Sequence, residues 1–514
     1  MARQSRPRRV RIRTGPRPAP PARRALPSAP APAHQRAVLL DARTDRHSGR
    51  HVEQLWWHWY GPLDLERLTA AWQSVVARES VLRAAFEKEP SPRFVFRDHA
   101  RVEVTRHRAD TTDWDGLLAR DRLRGFDVSR PCPLRVTVVD GPDGPDGPDG
   151  PDGPDATGDT GDTGDTGGAS HTGDTGDTGD TGAGGGIRVL LTFHHGLLDA
   201  WSVFVLLEEF GRAYLADGTL PGGERRPDLG DWARWIQHQD PAAAQGLIGR
   251  TLPPEPAAVL PGLPGPGTAR TGCGRTETRL STAQAGRLRH WADTLALPES
   301  SVLHAAWALL LYRAADVPHS AAVRFNITTS GRGIALDAAE RLVGPLRTCL
   351  PAAVRVDPRH RLDRLLTALR DQALDLAAYE WLSTAQISQW ERAGDLVLPD
   401  STVCVETQAR PRPGLRAALG AAGIRFGTPH ATGAHTLLSI ALLARHARDG
   451  SLILTALYDR ARLRESDARL LLAQYGRLLA HLPAAGGART VAEVLDVLAA
   501  EPVPRIAPPP APAP

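Results

Sequence analysis

Residues 187–202 read IRVLLTFHHGLLDAWS, and this stretch decides the fold. Its first part, Ile187–Phe193, is short and rich in β-branched and large apolar residues, which predicts a strand. Successive side chains on a strand point to opposite faces, so His194 and His195 cannot both address the same site. Asp199 follows His195 by four residues, where the chain is predicted to turn into a helix over 200–214. A strand that passes through two histidines and an aspartate into a helix is a mixed α/β unit with polar groups at its junction. On these residues alone two readings stay open. The histidines can be satisfied core residues with Asp199 as a helix cap, or one histidine can serve a reaction centre.

Working outward, Leu134–Val139 (LRVTVV) alternates apolar and polar residues and predicts a half-buried strand. Paired with Ile187–Phe193 it makes an antiparallel hairpin. The intervening residues 141–186 hold five GPD triplets and two runs of GDT, with eleven aspartates and no Lys or Arg. The Gly-X-Y period is that of collagen, but five charged triplets are too few for a triple helix. The segment is read as a disordered, solvated loop at a swollen hairpin tip, tolerable because closure entropy grows slowly with length.

Helices and strands interleave elsewhere. Leu65, Leu68, Trp72 and Val75 recur at helical spacing after the N-cap candidate Asp64. A helix is predicted from near Pro298, strands over 321–329 and 451–458, and a long closing helix over 466–482. The fold class is therefore α/β (α+β), and 514 residues suit about two or three domain-sized units.

With 41% hydrophobic and 23% charged residues the composition is that of a soluble globular protein. No apolar run approaches the ~20 residues needed to span a bilayer. The Arg/Pro-rich N-terminus lacks the apolar segment of a secretory signal, so a cytoplasmic location and no membrane partner are expected. The four cysteines, Cys132, Cys273, Cys349 and Cys404, are scattered without a CxxC pair, which predicts reduced thiols and neither metal site nor disulfide. The net charge of +4 hides two opposed segments, since residues 1–36 carry ten arginines and no acid. The interleaved Pro and Ala make residues 1–33 read as a disordered tail, and nucleic acid is not an expected partner.

The run His194-His195-Gly-Leu-Leu-Asp199 resembles the HHxxxDG motif of the condensation-domain superfamily, the chloramphenicol acetyltransferase-like acyltransferases of nonribosomal peptide synthetases. The resemblance extends in order from about residue 33 to 482. AHQRAVLL (33–40) is similar to the opening motif, and 61–86 to the first long helix with its R-H-E-x-L-R segment. GFDVSRPCPLR (125–135) resembles F-D-L-x-x-x-P-L-R, and 228–240 the usual crossover. TTSGR (328–332) and LVGPLRTCLP (342–351) resemble S-G-R and V-G-x-F-x-N-T-L-P. YEWLSTAQISQWER (379–392) and LYDRARL (457–463) resemble the last two blocks.

The resemblance implies two chloramphenicol acetyltransferase-like lobes forming a V-shaped pseudo-dimer, with a tunnel entered by two carrier-bound substrates. It divides the chain into a tail (1–33), an N-terminal lobe (34–230), a crossover (231–269), a C-terminal lobe (270–484) and a linker with a Pro-rich tail (485–514). It makes His195 the catalytic, tunnel-facing histidine, His194 structural, and Asp199 the holder of the motif through an ion pair. Arg332 is the expected partner of Asp199, with Arg83 as the alternative. The implied reaction joins a carrier-bound acyl or aminoacyl thioester to an amine or hydroxyl, as an amide or ester, in nonribosomal peptide or antibiotic biosynthesis. No cofactor is expected to be bound. The substrates ride on the phosphopantetheine of peptidyl or acyl carrier proteins, which are the expected partners.

Several positions depart from the family pattern. The final motif glycine is Ala200, the R-H-E histidine is replaced in Arg78-Glu79-Ser80, the N-T pair reads Thr348-Cys349, and a tryptophan usual near 248 is absent. Residues 490–501 resemble the linker into an adenylation domain, yet no adenylation domain or G-G-x-S carrier motif follows. A free-standing monomer acting in trans on other synthetase components is expected. Two other readings are a coenzyme A-dependent acyltransferase of the same superfamily and a non-catalytic module that recruits carrier proteins.

Overall fold

A computed structural model describes residues 28–31, 33–44, 47–88, 91–141, 186–222, 226–252, 257–391, 399–406, 414–433, 436 and 438–508. Nearly all of the 141–186 loop, residues 1–27 of the tail and the closing residues 509–514 lie outside the described residues.

The Val52–Tyr60 strand organises the first sheet. It pairs antiparallel with Ile187–His194, in a register that sets Val52 opposite His194. Ile187–His194 pairs in turn with Leu134–Val139, which makes the expected antiparallel hairpin, and Glu103–His107 closes that edge in parallel. Two helices cover one face, Leu65–Arg78 and Ala200–Leu215, where Trp72 stacks on Phe210 with ring centres 4.7 Å apart. Asp64 caps the first of these by accepting the Arg67 amide N–H at 3.0 Å.

Leu134–Val139 departs from its predicted half-burial, because both of its faces are buried. The Arg135 guanidinium donates to the Asp121 carboxylate at 2.9 Å and to the carbonyls of Asp121 and Gly125 at 2.8 and 2.7 Å. Helix Trp114–Arg124 and its C-terminal glycine thus roof the polar face, and a buried charge is tolerated because each guanidinium nitrogen is bonded.

The second sheet runs in the order Cys273–Leu280, Leu452–Asp459, Ile440–His446, Ser401–Val405, Ala321–Thr329, Thr348–Val356. Helix Glu299–Ala315 is buried almost all round beneath it, and the long Glu465–Ala485 helix packs Leu471, Tyr475, Leu478 and Leu482 into the same core. Among the described residues no single helix is long and apolar enough to cross a membrane.

Packing adds detail at three of the expected boundaries. The end of the expected tail is ordered, since Ser28–Pro30 forms a strand against Arg93–Phe96 and Ala31 is buried. Within the expected crossover, Trp232 sits in the first core and Ala244, Ile248 and Leu252 in the second. Residues 491–507 likewise pack rather than trail, with Val491, Val494, Leu498 and Ile506 buried in the second core and Arg505–Ile506 paired with Leu263–Pro264. In addition, Arg425–Phe426 and His430–Thr432, well inside the expected C-terminal lobe, pair with Val52–Tyr60 in the first sheet.

Candidate active site

The site forms where the first sheet's central hairpin ends. His194 is the last residue of its strand, and its main-chain N–H donates to the Pro133 carbonyl at 3.0 Å. Its side chain is buried at 1% exposure, and its Nδ1 accepts the Gly196 N–H at 3.1 Å. Burial pushes the imidazole down to about 3, with His51 and His195 adding like-charge repulsion, so His194 is a neutral packing residue at neutral pH. His195 takes the opposite face. Its N–H donates to the His51 carbonyl at 2.8 Å, and its side chain keeps 45% of its surface open. Glu53 Oε1 stands 3.2 Å from His195 Nδ1. The Glu53 carboxylate raises the His195 pKa above the ordinary histidine value, against burial and the nearby Arg347.

Asp199 is both cap and ion-pair partner. Oδ1 accepts the Ser202 N–H and hydroxyl, each at 2.8 Å, which starts helix Ala200–Leu215. The same carboxylate accepts two Arg332 N–H groups at 2.8 and 3.0 Å and the main-chain N–H groups of Leu346 and Arg347 at 3.0 and 3.1 Å. Burial alone would push this carboxyl up. The Arg332 charge and these donors outweigh it and bring Asp199 down to about 2. Arg332 also donates to the carbonyls of Ser330, Leu342 and Gly344. Arg83, the alternative partner, instead donates to the Arg97 carbonyl at 2.6 Å.

Two local features explain how the motif closes. Gly331 has φ +67°, and a Cβ there would sit 1.9 Å from the Leu346 carbonyl oxygen, so the S-G-R turn needs glycine to bring Arg332 onto Asp199. Ala200, in the place of the motif glycine, is the first helical residue and has no positive φ. Its methyl group is therefore harmless to the backbone.

The structure gathers His194, His195, Asp199 and Arg332 and leaves Arg83 apart. It adds three residues that the motifs did not single out: Glu53, Ser202 and Arg347. Arg347 follows the Asp199-bound Leu346, and its guanidinium donates to Cys404 Sγ at 3.6 Å. The signal for Glu53 lay in the run HVEQLWWHWY, where one carboxylate interrupts an aromatic strand. Among the described residues no group of three His, Cys, Asp or Glu side chains could hold a metal ion, and the four cysteines are free thiols.

Residues 183–389 match the family model of the condensation domain. Bacitracin synthase 3 of Bacillus licheniformis is 23% identical over 371 residues, covering 69% of this chain. The chain spans only 5% of that synthase's length. The first condensation domain of the calcium-dependent antibiotic synthetase, solved with a substrate analogue, superposes with a TM-score of 0.66 at 18% identity over 91% of this chain and 99% of that one. The X-domain of teicoplanin biosynthesis, solved in complex with OxyB, superposes at 0.61 with 18% identity, over 91% of this chain and 95% of that one. By sequence, residues 183–389 are thus similar to a condensation domain, and the described chain as a whole shares the fold of the condensation domains on which it superposes.

Proposed function

We propose that the chain is an acyltransferase that joins a carrier-bound acyl or aminoacyl thioester to an amine or hydroxyl acceptor, building an amide or ester in nonribosomal peptide biosynthesis. The observation that supports this most is the division of labour within the histidine pair. One ring is buried and neutral, while the other stands open beside a carboxylate at the lobe junction. The acceptor attacks the thioester carbonyl carbon, forming the new C–N or C–O bond. His195 takes the acceptor's proton, and the tetrahedral intermediate expels the phosphopantetheine thiolate, which regains a proton. Among the described residues Arg347 makes no ion pair within 4 Å, and it is one of the charges acting on His195, which suits it to steady the developing oxyanion.

The partners are carrier proteins of a synthetase, met in trans, and the domain division follows the two cores with the crossing segment at 425–432 added to the first. Offering one acyl group on a loaded carrier and on coenzyme A, with a common amine, tests the proposal. A higher kcat/KM with the carrier is expected, because protein contacts lower the cost of positioning. An equal or higher value with coenzyme A makes the chain a coenzyme A-dependent enzyme. Carrier binding without transfer from either donor makes it a recruitment module.

A further inference from the structure

Glu53 has no part in the HHxxxD motif, yet its carboxylate stands 3.2 Å from the ring of His195. The Val52–Tyr60 strand delivers it: Val52 pairs with His194, and Glu53 with Phe193. The His51 carbonyl, one residue before that strand, holds the His195 main chain at 2.8 Å. Glu53 is a quarter exposed, at 24% of its side chain, and among the described residues its ion-pair partner is His195. An ionised carboxylate can only accept hydrogen bonds, so the ring nitrogen that faces it at 3.2 Å must carry a proton. The ring's other nitrogen is then the basic one.

We propose that Glu53 is a positioning residue for His195: it accepts the Nδ1 proton, fixes the ring as the Nδ1–H tautomer, and leaves Nε2 as the atom that takes the acceptor's proton. The last step rests on the acyltransferase reading, while the tautomer and the pairing do not. The charges around the ring fit this role. Glu53 and Asp199 favour the protonated imidazole, and Arg347 opposes it. His51 and His194 repel a positive charge on this ring, and burial lowers the pKa of each, in His51 against the Asp41 carboxylate 2.7 Å away. The Glu53 carboxyl, pushed up by burial, is held below its ordinary value by His195, so it stays ionised where the enzyme works.

The test needs no substrate for its first half. Nitrogen-15 spectra of histidine-labelled full chain, with His195 assigned by its loss in His195→Ala, report tautomer and titration midpoint. The expected result is Nδ1–H with a bare Nε2 in the wild type, and a midpoint about one pH unit lower in Glu53→Gln. Glu53→Asp, which keeps the charge, should recover part of that shift. In the second half, kcat should fall by about 10²-fold or more in Glu53→Gln and recover partly in Glu53→Asp, with KM little changed and the acid limb of the rate profile moving with the midpoint. An Nε2–H tautomer in the wild type, or a midpoint unmoved by Glu53→Gln, overturns the proposal. A moved midpoint in a chain that transfers no acyl group strikes the acyltransferase reading instead and leaves the pairing intact.

Discussion

Asp199 and Arg332 lie 133 positions apart in the chain and are joined by two hydrogen bonds of 2.8 and 3.0 Å, one residue from each lobe. Both side chains are 2% exposed. Removing one partner leaves the other as an unpaired buried charge. Asp199→Ala and Arg332→Ala are each expected to cost about 3–5 kcal/mol, measured by denaturant titration. The double variant should cost clearly less than the two singles combined. Additive losses would show that the bonds to Ser202, Leu346 and Arg347 hold Asp199 without Arg332. The sign of the pH effect follows from a lowered carboxyl pKa. The pair's contribution is complete above the ordinary carboxylate range and fades as pH falls toward about 2.

The two neighbouring histidines should separate activity from stability. His195→Ala removes a half-open side chain, so transfer is expected to fall by about 10²–10⁴-fold, while stability falls much less than in Asp199→Ala. His194→Ala empties a buried site and should cost about 2–4 kcal/mol. Rates and melting curves on both variants check this. An unaltered rate for His195→Ala would remove it from the mechanism.

The hairpin register makes a deletion possible. Val139 pairs with Arg188, so the next positions outward are Asp140 and Ile187, already where a tight turn would hold them. Replacing residues 141–186 by Asn-Gly gives a two-residue loop of the kind that fits a right-twisted hairpin. Soluble expression and turnover of the shortened chain should match those of the full one. Loss of either would give the insert a role beyond connection.

His304 offers a prediction about acid. It is buried in helix Glu299–Ala315, both ring nitrogens lack a hydrogen-bond partner among the described residues, and burial pushes it down to about 4. The unfolded chain binds a proton at this residue near pH 6.5, while the folded chain does not until about pH 4, so stability is lost as pH falls between those values. That difference is worth about 3 kcal/mol at the acid end. His304→Leu should therefore stabilise the protein at neutral pH by about 1–3 kcal/mol and flatten the acid side of its stability profile. Denaturant titrations at pH 7 and pH 4.5 measure both effects, and an unchanged profile would mean that a bound water satisfies the ring.

The strand–helix junction was legible because its signals are local. IRVLLTF changes to helical periodicity within a few residues of Asp199, and Asp199 is a strong N-cap type. Arg332 was legible through S-G-R, where Gly331 has its positive φ. Glu53 stood out as a lone carboxylate in an aromatic strand, but its nearness to His195 was not legible, because it depends on a register between strands far apart in sequence. Both-face burial of Leu134–Val139 was hidden for a similar reason, since the roof over Arg135 comes from another element. The crossing segment was beyond reach, since two strands of two and three residues carry no periodicity to read.

That crossing segment ties the history of the two halves together. Trp56 stacks on His430 with ring centres 4.2 Å apart, and Arg122 donates to Thr432 at 3.2 Å. A chimera spliced near residue 240 would pair the Val52–Tyr60 strand of one parent with the 425–432 segment of the other. Recombination between such chains would succeed only where both parents share that seam, so residues 52–60 and 425–432 are expected to travel as one heritable unit although they sit in opposite halves of the gene.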